Sequence, residues 1–295
     1  MRFFFIFIII SVITSCQREI DDVSSTTQSD SIYIESAIIL DSSLVTLPND
    51  TLFKFLFEYD IQKRVRRLRE FQYVNRVIDF SSDVKFFYIA NDSLPSVLQT
   101  VSTNGSSTVY DTVYLTYGNS GKILRDSSSY GVLGSPKAFV KLEFQQQGNN
   151  LIYGNYIDSV AGFAATRETI NSFCNWQSGN LFNEIDTFNY IMGQPPGYIK
   201  TKIFSYDQNV NPFRKILLNF PTTGFFSYTL TMAHGNWFLK EFANNSKSNI
   251  LTEVINPGNY VRTYSYTYSP AGLPVKAVRS SGPTLYKIHY YYTSL

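Results

Sequence analysis

The chain has 295 residues, a formal net charge of +2 and 16% charged residues. That length can bury a sizeable core in one large or two ordinary domains, and the near-balanced charge, with no basic or acidic tail, argues against a nucleic-acid partner. Two cysteines and two histidines leave little material for a disulfide framework, a thiolate metal site or a Cys/His nucleophile pair.

The first segment reads MRFFFIFIII SVITSCQREI. Arg2 is a minimal positive n-region and residues 3–13 an apolar h-region. Thr14 and Ser15 are small residues ahead of Cys16, which is the order of a secretory signal peptide. The apolar run is shorter than the ~20 residues a helix needs to cross a bilayer, so a transmembrane anchor is the weaker reading. Ile13-Thr14-Ser15-Cys16 resembles a bacterial lipobox. The resemblance implies cleavage between Ser15 and Cys16, acylation of Cys16, and a soluble domain held on the bacterial outer membrane by two or more chains. The acidic residues of Gln17-Arg18-Glu19-Ile20-Asp21-Asp22 resemble a surface-export signal of Bacteroidota lipoproteins, loosely, since Arg18 and Ile20 interrupt them. The periplasmic and cell-surface faces both stay open. The polar stretch after Cys16 reads as a flexible tether. The predicted organisation is a signal peptide over 1–15, lipid site and tether over 16–30, and one domain over 31–295.

From residue 31 onward, short strands alternate with turn signals. Residues 63–69 (KRVRRLR) alternate basic and aliphatic side chains, the charged face of a strand or short helix. Residues 108–117 and 122–130 read as a hairpin turning through Gly118-Asn119-Ser120-Gly121. In residues 137–145, Ala138, Val140, Leu142 and Phe144 share one face and Lys137, Lys141, Glu143 and Gln145 the other, the mark of a half-wet antiparallel strand. Residues 151–158 return after Gln147-Gly148-Asn149-Asn150. Helix is scarce: residues 161–173 suit one, and residues 211–220 another, with Asn211 as cap and Pro212 in first position. The C-terminus reads as three consecutive strands. Tyr264, Tyr266 and Tyr268 share one face of the first, and Tyr286, Ile288, Tyr290 and Tyr292 one face of the last. Facing aromatic pairs contribute roughly 0.2–1 kcal/mol each.

Several units repeat one shape: an aromatic-rich strand, a turn with Gly or Asn, then a strand opening on a basic or aliphatic residue. FEYDIQKRVRRL from Phe57, YLTYGNSGKILR from Tyr114, EFQQQGNNLIYG from Glu143, FSYDQNVNPFRKI from Phe204 and YTYSPAGLPVKAV from Tyr266 are examples. Their spacing drifts, so this is no strict solenoid. The units resemble degenerate YD repeats: Tyr59-Asp60 and Tyr206-Asp207 keep the pair, while Tyr117-Gly118 and Tyr268-Ser269 have lost the aspartate. Tyr206-Asp207 with Asn211-Pro212-Phe213, the Asn-rich segment 244–249 and the closing Tyr-rich hairpins also resemble a group of uncharacterised Bacteroidota lipoproteins. The resemblance covers residues 50–295 loosely. It implies an all-β meander and no established activity, so it carries over no catalytic residue. In the Tyr-Asp pair, Tyr packs on the sheet and Asp accepts hydrogen bonds from turn amides.

No motif for nucleotide binding, a zinc protease or a hydrolase elbow occurs. His234, in Ala233-His234-Gly235-Asn236-Trp237, reads as a turn residue beside a packed Trp. His289 shares a strand face with Lys287 and Tyr291 and reads as sheet surface. Cys174 reads as a small apolar residue. Glu184 and Asp186, two apart, can share one strand face; a glycosidase pair or cation site is the sharper reading and a solvated sheet the plainer one.

The expectation is therefore all-β, a single large antiparallel meander of ~12–16 strands in a strongly curved sheet or partly closed barrel. The expected role is a non-enzymatic envelope protein without cofactor or metal. It binds a protein or glycan partner through a sheet surface or loops, with Tyr264, Tyr266, Tyr268, Tyr290 and Tyr292 as candidate binding residues. The alternative is a carrier of a hydrophobic molecule in a half-open barrel.

Overall fold

The computed structural model describes residues 32–41, 50–89, 92, 94–105, 107–117, 123–132, 138–147, 150–159, 166–190, 197–214 and 246–295. The signal segment, Ser15, Cys16, the tether and His234 lie outside these residues. Sixteen strands follow in chain order. The first eight are β1 (Ile32–Asp41), β2 (Asp50–Tyr59), β3 (Val65–Val74), β4 (Val77–Tyr88), β5 (Pro95–Asn104), β6 (Ser107–Tyr117), β7 (Ile123–Val132) and β8 (Ala138–Gln147). The second eight are β9 (Asn150–Ser159), β10 (Thr166–Gln177), β11 (Asn180–Tyr190), β12 (Tyr198–Val210), β13 (Ser248–Asn256), β14 (Tyr260–Tyr268), β15 (Pro274–Ser281) and β16 (Thr284–Ser294). Each pairs antiparallel with its sequence neighbours, and β16 returns to β1 with Ile288 opposite Ile39, so the meander closes into a barrel.

Alternation dictates the strands. On β4, Phe80, Ser82, Val84 and Phe86 are buried, while Asp83, Lys85 and Phe87 between them face out. Two tight turns put both central residues at positive φ, as hairpin twist demands: Asn75-Arg76 at 50° and 66°, and Ser178-Gly179 at 50° and 78°. The three closing strands and the 108–130 and 138–158 hairpins form as the sequence predicts.

One helical expectation, over 161–173, does not hold in its described part. Residues 166–173 belong to β10, which pairs with β9 on one side and β11 on the other. That double ladder satisfies the backbone of a segment whose local pattern alone suits a helix. Pro212 and Phe213 make a turn after Asn211 and Arg214 is helical, so the described part of the second expectation is consistent with a helix starting there. The rest of 211–220 lies outside the described residues. The capping part of the expectation stands, because Asn211 Oδ1 accepts the Phe213 amide at 3.0 Å.

The drifting repeat has a physical content. Tyr59, Tyr88 and Tyr117 are the last residues of β2, β4 and β6. Each donates its hydroxyl at 2.7 Å to a carbonyl near the start of the preceding strand, of Ile34, Val65 and Pro95 respectively. Tyr206 on β12, Tyr266 on β14 and Tyr292 on β16 do the same to Leu181, Ile250 and Pro274 at 2.7–2.9 Å. A tyrosine thus clamps the open end of each of these hairpins. The aspartates of the Tyr-Asp pairs organise the turns: Asp60 accepts the amides of Gln62 and Arg64, both at 2.9 Å, and Asp207 that of Asn209 at 3.0 Å.

The core lies inside the barrel. Phe55, Phe57, Leu68, Val84, Phe86, Leu98, Val113, Leu115, Ala277 and Ile288 point inward and pack together toward the end of the barrel where β1 begins and β16 ends. Further along, the inner wall turns polar, with buried Glu70, Ser82, Ser102, Asp111, Glu184, Asp186, Glu253 and Arg279.

Candidate functional site

Three features carry chemistry: a wedge in the apolar half of the lumen, a charged layer in the polar half, and an asymmetric exterior.

The wedge comes from the connection after β12. Asn211 is tied to the chain before β13 by its amide to Lys247 O at 2.9 Å and its Nδ2 to Ser246 O at 3.1 Å. The turn it caps sends Phe213, 2% exposed, across the lumen. The Phe213 ring centroid lies 6.2 Å from that of Phe57 on β2 and 6.1 Å from that of Tyr290 on β16. Beside the wedge, Asp207 accepts the Asn249 amide and side-chain Nδ2 at 3.1 and 3.2 Å, and takes the Tyr268 hydroxyl as well. The cavity bounded by Asn211, Phe213, Ile250, Tyr266 and Tyr290 measures about 10 Å³, room for one water.

All five candidate tyrosines sit on the inner face. Tyr264 and Tyr290 are buried in the core, and the Tyr266 ring stacks on Tyr268 at 5.9 Å. Burial pushes the hydroxyls of Tyr266, Tyr290 and Tyr292 far above their ordinary titration. Their hydroxyls build the barrel, since Tyr266 and Tyr292 serve as hairpin clamps.

In the polar half, Glu184 and Asp186 do share one face of β11, and it is the inner one. Lys202 on β12 reaches both, at 3.0 and 3.7 Å. Burial acts to lower the Lys202 ammonium, and the two carboxylates outweigh it and raise it. The lysine therefore supplies one positive charge between the two acids and ties β11 to β12 across the inner wall. Arg262 on β14 pairs with Glu253 on β13 at 2.9 Å. Across the lumen wall, Glu70 on β3 and Asp111 on β6 are buried; both Glu70 carboxylate oxygens and Asp111 Oδ1 have no hydrogen-bond partner among the described residues. Burial raises Glu70 to about 9 and, against a bond from the Thr112 amide, Asp111 to about 7. Among the described residues no group of three or more His, Cys, Asp or Glu side chains is placed to hold a metal ion. Sequence reasoning passed over Glu70 and Asp111; their signal was a lone acid on the apolar face of each strand.

Outside, the basic run 63–69 divides. Arg64 is ion-paired with Asp60 in the β2–β3 turn and stacks over Tyr88. Arg66, Arg67 and Arg69 gather with Glu58 and Asp83 on the exterior of β2–β4. Arg69 and Arg66 bind Glu58 at 2.8 and 3.0 Å, and Arg67 makes a two-pronged contact with Asp83 at 2.8 and 2.7 Å. Burial would raise Glu58, but the three arginines lower it; Arg67 foremost lowers Asp83. His289 faces out on β16, opposite Lys276, and partial burial followed by Lys276 and Lys287 depresses its titration. Cys174 stands on β10 opposite Glu184. Next to β15, β14 and then β12 present Val261, Thr263, Ser265 and Thr267, then Ile199, Thr201, Ile203 and Ser205, an uncharged surface.

No protein-family model matches the chain. No curated protein matches it either. Among solved structures it is similar to a porin-like protein from Bacteroides vulgatus ATCC 8482, at 13% identity and a TM-score of 0.47 over 89% of this chain and 99% of that one. A porin-like protein from Bacteroides uniformis ATCC 8492 is similar at 9% identity and a TM-score of 0.49, over 88% of this chain and 98% of that one. A likeness of this degree carries no argument about activity.

Proposed function

We propose that the chain is a non-enzymatic envelope protein, anchored through a lipid on Cys16, whose barrel is a solid, water-facing scaffold that offers its exterior and loops to a protein or glycan partner. The observation that carries this reading is the polarity of the wall. Over β2–β4 the inner face holds core residues such as Phe55, Phe57, Leu68, Val84 and Phe86, and the outer face holds the Glu58–Arg66–Arg67–Arg69–Asp83 network, with Phe87 exposed beside it. A membrane-spanning barrel needs the opposite arrangement, because each Lys or Arg on the lipid face costs roughly 2–4 kcal/mol at the bilayer midplane. A hydrophobic carrier needs room, and beside the wedge the described residues leave about 10 Å³, space for one water. An enzyme needs titratable groups converging on an accessible pocket, whereas Glu184 and Asp186 are ion-paired with Lys202.

The test is fractionation of cells expressing the wild type and a Cys16→Ser variant, with metabolic labelling by a palmitate analogue. The wild type is expected to be labelled and membrane-bound, and the variant unlabelled and soluble without detergent. A variant that stays in the membrane through an alkaline carbonate wash would mean that the barrel itself is inserted. Protease shaving of intact cells carrying a C-terminal tag then assigns the periplasmic or cell-surface face.

A further inference from the structure

The exterior is basic on one side, and the scaffold does not need it to be. Cross-strand register lines up Lys276 on β15, His289 on β16, Ile38 on β1 and Lys54 on β2 in one row. In the next rows, Arg69 lies opposite Asp83 and Arg67 opposite Lys85. Lys287, two residues from His289 on the same strand, faces the same way. The three β3 arginines share just two carboxylates, Glu58 and Asp83. Even with exposed Glu35 at the β1 bulge counted, the positive excess on this wall is larger than the +2 of the whole chain. The wall over β12–β14 has no such charge.

The chain connects this wall to the anchor. β1 lies at its middle, with β15 and β16 on one side and β2, β3 and β4 on the other. β1 opens at Ile32, so fifteen residues separate Cys16 from it, at most ~50 Å of fully extended chain. A lipid on Cys16 therefore holds the barrel within reach of the headgroups, and β1, in the middle of the basic wall, is the described strand nearest the anchor in the chain. A short acyl anchor and a basic surface are the two signals that together give stable membrane attachment.

We propose that the β15–β4 wall docks the barrel side-on against anionic lipid headgroups of the membrane that carries its anchor, with the uncharged β12–β14 wall flanking the contact. This rests on the Cys16 anchor, and the test is built to fail separately from it. Full-length chain with Cys16→Ser, which carries no acyl group, is mixed with vesicles of phosphatidylcholine alone or with about 30% phosphatidylglycerol, and sedimented. Pelleting is expected with the anionic vesicles alone, and is expected to fall at least about tenfold when salt rises from about 0.05 to about 0.5 M. In a Lys54→Gln, Lys85→Gln, Lys276→Gln variant, binding is expected to be about a hundredfold weaker. A Thr201→Gln, Thr263→Gln variant of the uncharged β12–β14 wall should bind as the parent does. Equal pelleting with both vesicle types, or no loss in the triple variant or in salt, overturns the proposal. So does an acidic polysaccharide that displaces the chain at equal total charge, which would make the wall a general polyanion site. Failure of palmitate labelling at Cys16 would overturn the anchor alone, because the vesicle assay uses unacylated chain.

Discussion

Glu70→Gln should make the protein more stable at neutral and alkaline pH. Glu70 is 1% exposed, and neither carboxylate oxygen has a hydrogen-bond partner among the described residues. Burial lifts its titration from 4.5 to about 9, so the folded chain holds this proton over a range in which the unfolded chain has released it. Stability must therefore fall as pH rises from about 4.5 toward about 9, and the contribution is fully present below that window. Each tenfold difference in proton affinity between the folded and unfolded chain is worth about 1.4 kcal/mol, so the climb to neutral pH costs on the order of 3 kcal/mol. Glutamine keeps the shape and has no proton to lose. Urea unfolding followed by tyrosine and tryptophan fluorescence from acid to mildly alkaline pH reads the difference. The two chains should be equally stable in acid and diverge as pH rises. Curves that stay parallel, or a Gln variant less stable at alkaline pH, would show that Glu70 is solvated or paired. Asp111, raised to about 7, adds a second slope of the same sign that ends at lower pH.

Removing the wedge ring by Phe213→Ala should cost about 3–5 kcal/mol, read as a fall of roughly 2–4 °C in thermal midpoint per kcal/mol; a shift near zero would place the ring outside the lumen. Tyr117→Phe removes one hairpin clamp and leaves the Pro95 carbonyl without it, for about 1 kcal/mol by denaturant titration. Lys202→Met strands two buried carboxylates and should cost about 3–5 kcal/mol, most of it recovered when Glu184→Gln and Asp186→Asn are added. Arg67→Ala, on the wet exterior, should cost no more than about 1 kcal/mol in the same assay.

What was legible in the chain was local. Alternation identified the closing meander from Tyr264, Tyr266 and Tyr268 against Thr263, Ser265 and Thr267, because period two survives on any sheet with two unlike faces. The side that faces inward was not legible there: Tyr suits either face, and the burial that decides it comes from β16 and Phe213, both distant in sequence. Closure rests on Ile39 meeting Ile288, a contact no local pattern encodes. The segment 166–173 misled because its ladders come from β9 and β11. Asn211-Pro212-Phe213 was visible as a distinctive motif, and its cap is real, but the direction of the phenyl ring is set by the Asn211 tie to Ser246. Glu184 and Asp186 were visible as a pair, while the lysine that answers them lies sixteen residues on.

A barrel of sixteen strands ordinarily encloses a water channel, since diameter grows with strand number. Among the described residues, aromatic side chains fill part of that space, because small aliphatics cannot reach far enough from the wall. Their distribution follows the same logic. Phenylalanines such as Phe55, Phe57 and Phe86 occupy the dry centre, joined by Phe213 from the β12–β13 connection. Tyrosines take the hairpin ends, where a hydroxyl can donate to an opening carbonyl such as that of Val65 or Pro274. Small inner residues, Ala37 against Tyr290 and Ala277 against Tyr266, stand opposite large ones, so the rings interdigitate rather than collide. An interior built this way joins distant strands through ring contacts, Phe57 and Tyr290 both meeting Phe213, so that the closure of β1 on β16 is braced from inside.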